Sequence, residues 1–256
     1  MLLADSIIET LEDLLEAITI GSPAPPAPSG TDAWDPACQP RTQTQLGTNA
    51  AGAAVEALVK MYGPAASWWN ASVIQIGSYQ DNNPEVPGKT KRATSPGVDF
   101  VMGINRNRQI PTYFDAAITL IHELAHVNHA LQVGFFPEEV VTLVEENEYV
   151  ALSWEFELVA YAAQLDGALT IYQTDETKYR ECWQTSVSSD TVLTPLHSGN
   201  KMLARRAIKA NYLESELRAE WNNNHSGPAP SDDLVAKWLV FKTFHDLDDL
   251  VAAWEL

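Results

Sequence analysis

Basic residues are scarce in this chain: 16 lysines and arginines stand against 34 aspartates and glutamates in 256 residues, for a formal net charge of −18. Nucleic acid and anionic membrane both need a basic face that displaces counterions, so they are excluded as expected partners, and a basic peptide or protein substrate is favoured. Cysteine is scarcer still, with only Cys38 and Cys182. Two thiols make no disulfide scaffold; they allow one bridge, with free thiols in a reducing compartment as the default expectation. No apolar run approaches the length of a bilayer-spanning helix. A secretory signal is also missing, because Met1 to Ile20 carries five acidic residues and no basic one. That predicts a cytoplasmic protein, or one exported by a route without a cleavable signal.

What is present starts with an amphipathic N-terminus. Leu3, Ile7, Leu11, Leu14, Leu15 and Ile18 recur at helical spacing, and the segment 1–21 reads as a helix that docks on a partner, on a second copy or on the rest of the chain. A Pro-rich linker or extended segment follows over 22–47. The remaining residues, 48–256, read as one domain, and a hydrophobic content of 45% suffices for one sizeable core.

The most telling pentad is His122-Glu123-Leu124-Ala125-His126. Two histidines four positions apart share a helix face, so their imidazoles can grip one zinc ion while Glu123 addresses a water at an open coordination position. Thr112 and Asp115 form a capping box pattern, Pro111 bars a helix from running in, and Gly134 supplies a stop, which puts the pentad mid-helix. Phe114, Ile118, Ile121 and Ala125 line one side of that helix and Leu120, Leu124, Val127 and Leu131 another. Burial nearly all round follows, and buried imidazoles need a metal or a hydrogen-bond partner.

A third ligand is sought in the next helical pattern, Pro137 to Leu165, which carries seven glutamates and no lysine or arginine. Its apolar centre, set by Val140, Val144, Ala151, Leu158 and Ala162, lies nearest Glu148 and Glu155; Glu145, Glu146 and Glu157 fit a solvated face. Burial thus singles out both Glu148 and Glu155, and Glu145, Glu146 and Glu148 compete for the ligand position.

Asn147, Glu148 and Ala151 read Asn-Glu-x-x-Ala, and together with the pentad the stretch 98–165 resembles the gluzincin class of zinc metallopeptidases. The resemblance implies that His122, His126 and Glu148 hold zinc, that Glu123 is the catalytic base, and that an acid orients one histidine. Leu152 stands where that acid belongs, which leaves Glu155 or Asp115 as substitutes. A looser similarity, carried by His129 and Leu131 in the form His-Glu-x-x-His-x-x-His-x-Leu, is to bacterial effector metalloproteases and clostridial neurotoxin light chains. That class favours Glu146 as the ligand, with His129 in the wall of the site.

Alternating stretches at Ser72 to Tyr79 and Val98 to Asn105 read as strands. Gly103 would let a substrate backbone approach the strand just before the pentad helix, while Lys89, Lys91 and Arg92 read as a solvated loop. Helices are expected over Asn49 to Met61, Lys201 to Trp221, Asp232 to Phe241 and Phe244 to Trp254. The expectation is an α+β fold, a small zincin-like domain with a minimal sheet and a helical C-terminal part. His197, Tyr212 and His225 are its candidates for stabilising an oxyanion, and Cys38 is a candidate latency ligand. The functional expectation is a zinc-dependent endopeptidase, against two alternatives: a secreted effector or toxin protease with one intracellular target, and a non-catalytic protein with a structural zinc site closed by His129 or a cysteine.

Overall fold

The structure is a computed structural model that describes residues 49–69, 74–79, 88–93, 99–105 and 112–256. The segment 1–21, the Pro-rich stretch 22–47 and Cys38 lie outside the described residues. In chain order the described elements begin with helices α1 (Asn49–Val59) and α2 (Gly63–Trp69) and strands β1 (Ile74–Tyr79), β2 (Gly88–Arg92) and β3 (Phe100–Asn105). Helices follow: α3 (Tyr113–Val133), α4 (Glu146–Thr174), α5 (Glu176–Cys182), α6 (Leu193–His197), α7 (Lys201–Asn211), α8 (Glu214–Asn224), α9 (Asp232–Phe244) and α10 (Leu247–Ala253). The fold is α+β, mostly helical with one small sheet, as the patterning predicts. None of the described helices is long and apolar enough to cross a membrane.

The pentad helix forms where its caps place it. The Thr112 hydroxyl accepts the Asp115 N–H at 3.0 Å and donates to the Asp115 carboxylate at 2.6 Å, a cap worth about 1 kcal/mol. Its far end is Gly134, at φ +94°. The next segment departs from expectation. Instead of one helix from Pro137, the chain makes a 3-10 turn at Pro137–Glu139 and further turns before α4 starts at Glu146. Glutamates rather than hydroxyls close both starts: Glu139 accepts the Phe136 N–H at 2.8 Å and Glu148 the Glu145 N–H at 2.8 Å, each reaching back three residues to an orphan donor.

The sheet has the order β1-β3-β2, with β1 parallel and β2 antiparallel to β3. The cationic stretch expected as a loop is thus a strand, running from Gly88 opposite Ile104 to Arg92 opposite Phe100. Among the described strands β2 is at the edge; an edge strand needs only one row of ladder bonds and tolerates lysine along its length, so β2 carries no hydrophobic alternation to betray it. The strand just before the pentad helix, β3, is central and pairs on both sides, so the expected approach of a substrate along Gly103 has no free edge there.

The described residues divide into two compact units, and α3 and α4 contribute to both. One unit comprises the described residues as far as Val127 together with Ala160–Ser198. Its core joins Leu58, Tyr62, Phe114, Ile118 and Ile121 to Ala168, Ile171 and Tyr179. Gly167 of α4 sits where a Cβ would lie 2.5 Å from Ile121 Cδ1, so only glycine lets α4 come this close to α3 beside the pentad. The other unit comprises Asn128–Val159 and Gly199–Leu256. Trp154 and Trp254 pack there with ring centroids 5.4 Å apart. Their indole N–H groups donate to the Tyr212 carbonyl at 2.9 Å and to the Glu155 carboxylate at 2.8 Å.

Candidate metal centre

Both pentad histidines project from the same side of α3. His122 is buried and His126 half-buried, and their Nε2 atoms stand 3.1 Å apart. Two nitrogens bound to one tetrahedral ion at 2.0–2.1 Å would sit about 3.3 Å apart, so the pair already has the spacing that a shared cation imposes. On its other side, His122 Nδ1 meets Gln164 Oε1 at 3.0 Å. An amide oxygen only accepts, so Nδ1 carries the proton, and the Nε2 lone pair is left facing His126. The Tyr161 ring stands edge-on to His122 at 4.7 Å between centroids.

Tyr161 and Gln164 lie on α4 at positions i+4 and i+7 from Glu157, so the three share one stripe of a continuous helix. His122, His126 and Glu157 together form a group whose ligand atoms all lie within 4.8 Å of one another, and it can hold a metal ion. Two imidazoles and one carboxylate are a donor set for a borderline divalent ion with an open position. The residues present therefore fit a metal.

Glu123 stands outside that ligand group. It is 5% exposed, and its Oε2 accepts the Thr90 hydroxyl of β2 at 2.6 Å. The backbone of β2 presses against the same carboxylate: a Cβ at Gly88 would lie 2.3 Å from Glu123 Oε1. One carboxylate, that of Glu157, thus lies with the imidazoles and another, that of Glu123, is fixed against β2.

The carboxylate that joins the two histidines in this group is not the one expected. Glu148 is not in the group; its carboxylate caps the start of α4, nine residues and about 13 Å of helix from Glu157. Glu146, the competitor, pairs with Arg218 at 3.3 Å, and Glu145 is exposed. Glu157, assigned to a solvated face by the apolar-centre argument, is half-buried. The argument misleads because α4 is apolar almost all round, with Val150, Ala151, Leu152, Trp154, Phe156, Leu158 and Ala160 all buried, and such a helix has no single inward face.

The other expected roles also move. Glu155 does not orient a histidine. It is buried between the Trp254 N–H and Arg205, 3.8 Å away, and burial pushes its carboxyl above the usual range against the pull of those two groups. Asp115 is engaged with Thr112, and the orienting partner is Gln164, whose only sequence signal was its place seven residues after a glutamate. His129 stacks on Phe156 at 4.2 Å and is not in the ligand group. His197 packs edge-on to Trp183, His225 stacks on Trp221, and the Tyr212 carbonyl serves Trp154. Cys182 is fully buried and disulfide-bonded, not a free thiol. No protein-family model, curated protein or solved structure matches this chain.

Proposed function

We propose that the chain is a zinc-dependent endopeptidase, in which His122, His126 and Glu157 hold the ion and Glu123 is the general base. The observation that supports this most directly is the Glu123 carboxylate, next in sequence to His122, buried and held by the Thr90 hydroxyl, outside the ligand group. A closed structural site has no use for an oriented carboxylate next to its ligands. When bound, zinc supplies Lewis acidity and lowers the pKa of a water towards about 7.

The chain's own residues do the rest. Gln164 holds the His122 tautomer and ring angle, which keeps Nε2 available as a ligand. Thr90 donates to Glu123 Oε2 and orients the carboxylate that takes a proton from the attacking nucleophile and hands it to the departing amine. Tyr161, edge-on to His122, is a better candidate for stabilising an oxyanion than His197, Tyr212 and His225. The structural-zinc alternative loses its suggested fourth ligands, since His129 is stacked on Phe156 and Cys182 is in a disulfide.

The test is metal analysis of the purified chain together with cleavage of a mixed peptide library. One zinc per chain is the expected content, and Glu123→Gln is expected to keep the metal while cleavage falls by about two to four orders of magnitude. Full activity in Glu123→Gln would overturn the mechanism. A zinc-loaded parent that cleaves no peptide would overturn the peptidase reading.

A further inference from the structure

Helix α9 is apolar on the side that packs and again on the side that faces water. Trp238 and Phe241 are buried and pack on Phe135, at 5.5 and 5.2 Å between ring centroids. On the other side Ala236, Leu239, Val240, Thr243 and Phe244 are all exposed; Leu239 and Val240 stand 58% open to solvent and Phe244 75%. At 100° per residue these five fall in one stripe about 140° wide. Beyond the first turn no charged side chain falls within it: Lys237 pairs with Asp233 at 2.8 Å and Lys242 lies over the Trp238 ring. A surface helix ordinarily turns charged residues to water, and a contiguous apolar stripe in that position marks a surface that something covers. The exposed pair Met202 and Leu203 on α7 is no equivalent. Arg206 is exposed between them on that helix, and an apolar cover there would bury an unpaired charge.

We propose that the stripe on α9 is the docking surface for this chain's own N-terminal segment, 1–21, laid against it as a second helix. That segment lies outside the described residues, and its sequence states what it needs. Leu3, Ile7, Leu11, Leu14 and Ile18 fall within about 80° of a helical projection, while Asp5, Glu9, Glu12, Asp13 and Glu16 fall on the far side. A helix divided in this way buries one side and keeps the other in water, and α9 supplies an apolar surface without a charge to bury. The lengths agree as well. Leu3 to Ile18 spans about 23 Å of helix, and the 13 residues of α9 span about 20 Å.

The tether decides the occupant. Residues 22–48, 27 in all, reach up to about 90 Å when extended, several times the length of α9. One helix face offers a free partner much less than the roughly 800 Å² that each side of a stable complex buries. A separate protein or a second copy on this stripe alone therefore gains too little to offset its lost translational and rotational freedom. A segment of the same chain has given up most of that freedom already, and the tether keeps it at a high effective concentration. Under those conditions a few aliphatic side chains suffice, since each leucine or isoleucine that leaves water favours the docked state by about tenfold or more.

The test places a photoreactive side chain at the centre of the stripe, Val240→benzoylphenylalanine, in the full-length chain, and reads the cross-linked products by mass spectrometry. The expected product has the mass of one chain, joins α9 to residues 1–21 and forms in the same yield at low and high protein concentration. Leu11→Asp with Leu14→Asp in the same chain is expected to lower that yield about tenfold or more. Glu9→Gln with Glu16→Gln, on the segment's far side, is expected to leave it at the parental level. A product with the mass of two chains would assign the stripe to a second copy and overturn the inference. So would links that avoid residues 1–21, or a yield that the leucine pair leaves unchanged, or one that the glutamate pair lowers as much as the leucine pair does. None of these residues belongs to the metal centre, so the outcome is independent of whether the chain is a hydrolase.

Discussion

Replacing Gly88 by alanine tests, with a single methyl group, the geometry of the proposed base Glu123. The added Cβ would lie 2.3 Å from Glu123 Oε1, 2.7 Å from Cγ and 2.8 Å from Cδ, where ordinary contact begins near 3.4 Å. Relief needs a displacement of about 1 Å, either of the carboxylate or of β2. The carboxylate is the group that yields, because β2 is tied to β3 along its length while Glu123 has rotatable side-chain bonds. Moving it strains the Thr90 bond, a charge-assisted contact worth about 1.5–3 kcal/mol. Misplacement of a reacting group by about 1 Å costs on the order of a hundredfold in rate. The assay is kcat/KM on a peptide substrate, with zinc content and Tm measured on the same preparation. Gly63→Ala is the control, because a Cβ there meets nothing within 4 Å. The expected outcome is a rate loss of about a hundredfold with zinc retained. Parental activity in Gly88→Ala would refute the placement of Glu123 against the strand, and so would a loss of activity that tracks loss of zinc.

Three further outcomes are expected. Glu157→Gln should lose most of its zinc while Glu148→Gln keeps it and drops Tm slightly, read by elemental analysis and calorimetry; the opposite pattern would restore Glu148 as ligand. Gln164→Leu should weaken zinc affinity about 10- to 100-fold with the fold intact, as loss of a ligand's outer hydrogen bond does, measured by competition with a chelator. Asp166→Asn tests a buried carboxyl that burial pushes up to about 6 from 3.8. With the folded pKa above the unfolded one, the native state binds the extra proton, so this group's contribution to stability is full below pH about 4 and is lost as pH rises through about 6. The loss is roughly 3 kcal/mol. Urea unfolding of metal-free protein at several pH values should show the parent losing stability over that window relative to Asp166→Asn, and parallel curves would count against it.

Much of the pentad helix could be read from sequence because its signals are local. Thr112, Asp115 and Gly134 act within one turn of themselves, and the 3.6-residue period places His122 and His126 on one face whatever packs around them. The strands Ile74–Tyr79 and Phe100–Asn105 and the cap at Ser231 were legible for the same reason. The third position was not. Choosing among the glutamates of α4 required knowing where the helix starts and which of its sides meets α3, and a helix buried all round erases the periodicity that would say so. Glu148 looked inward and is instead used within its own first turn, closing the backbone of Glu145. Strand β2 was hidden by the opposite cause, since lysines at an edge satisfy the ladder and the solvent together and leave no hydrophobic mark.

The lysines of β2 also bear on whether two copies of this chain can stick together. Among the described strands β2 is an edge, an edge is a template for its own kind, and two β2 edges brought together antiparallel about Thr90 would set Lys89 of each against Lys91 of the other. Both cross-strand pairs would be like-charged, which opposes the contact at every register that keeps Thr90 near the axis. The strand is thus unsuited to self-pairing without a bulge or a proline to protect it. Reversal of one lysine alone, Lys89→Glu or Lys91→Glu, would turn both repulsions into attractions and make the edge complementary to itself, so either single variant should gain a concentration-dependent dimer that the double reversal lacks.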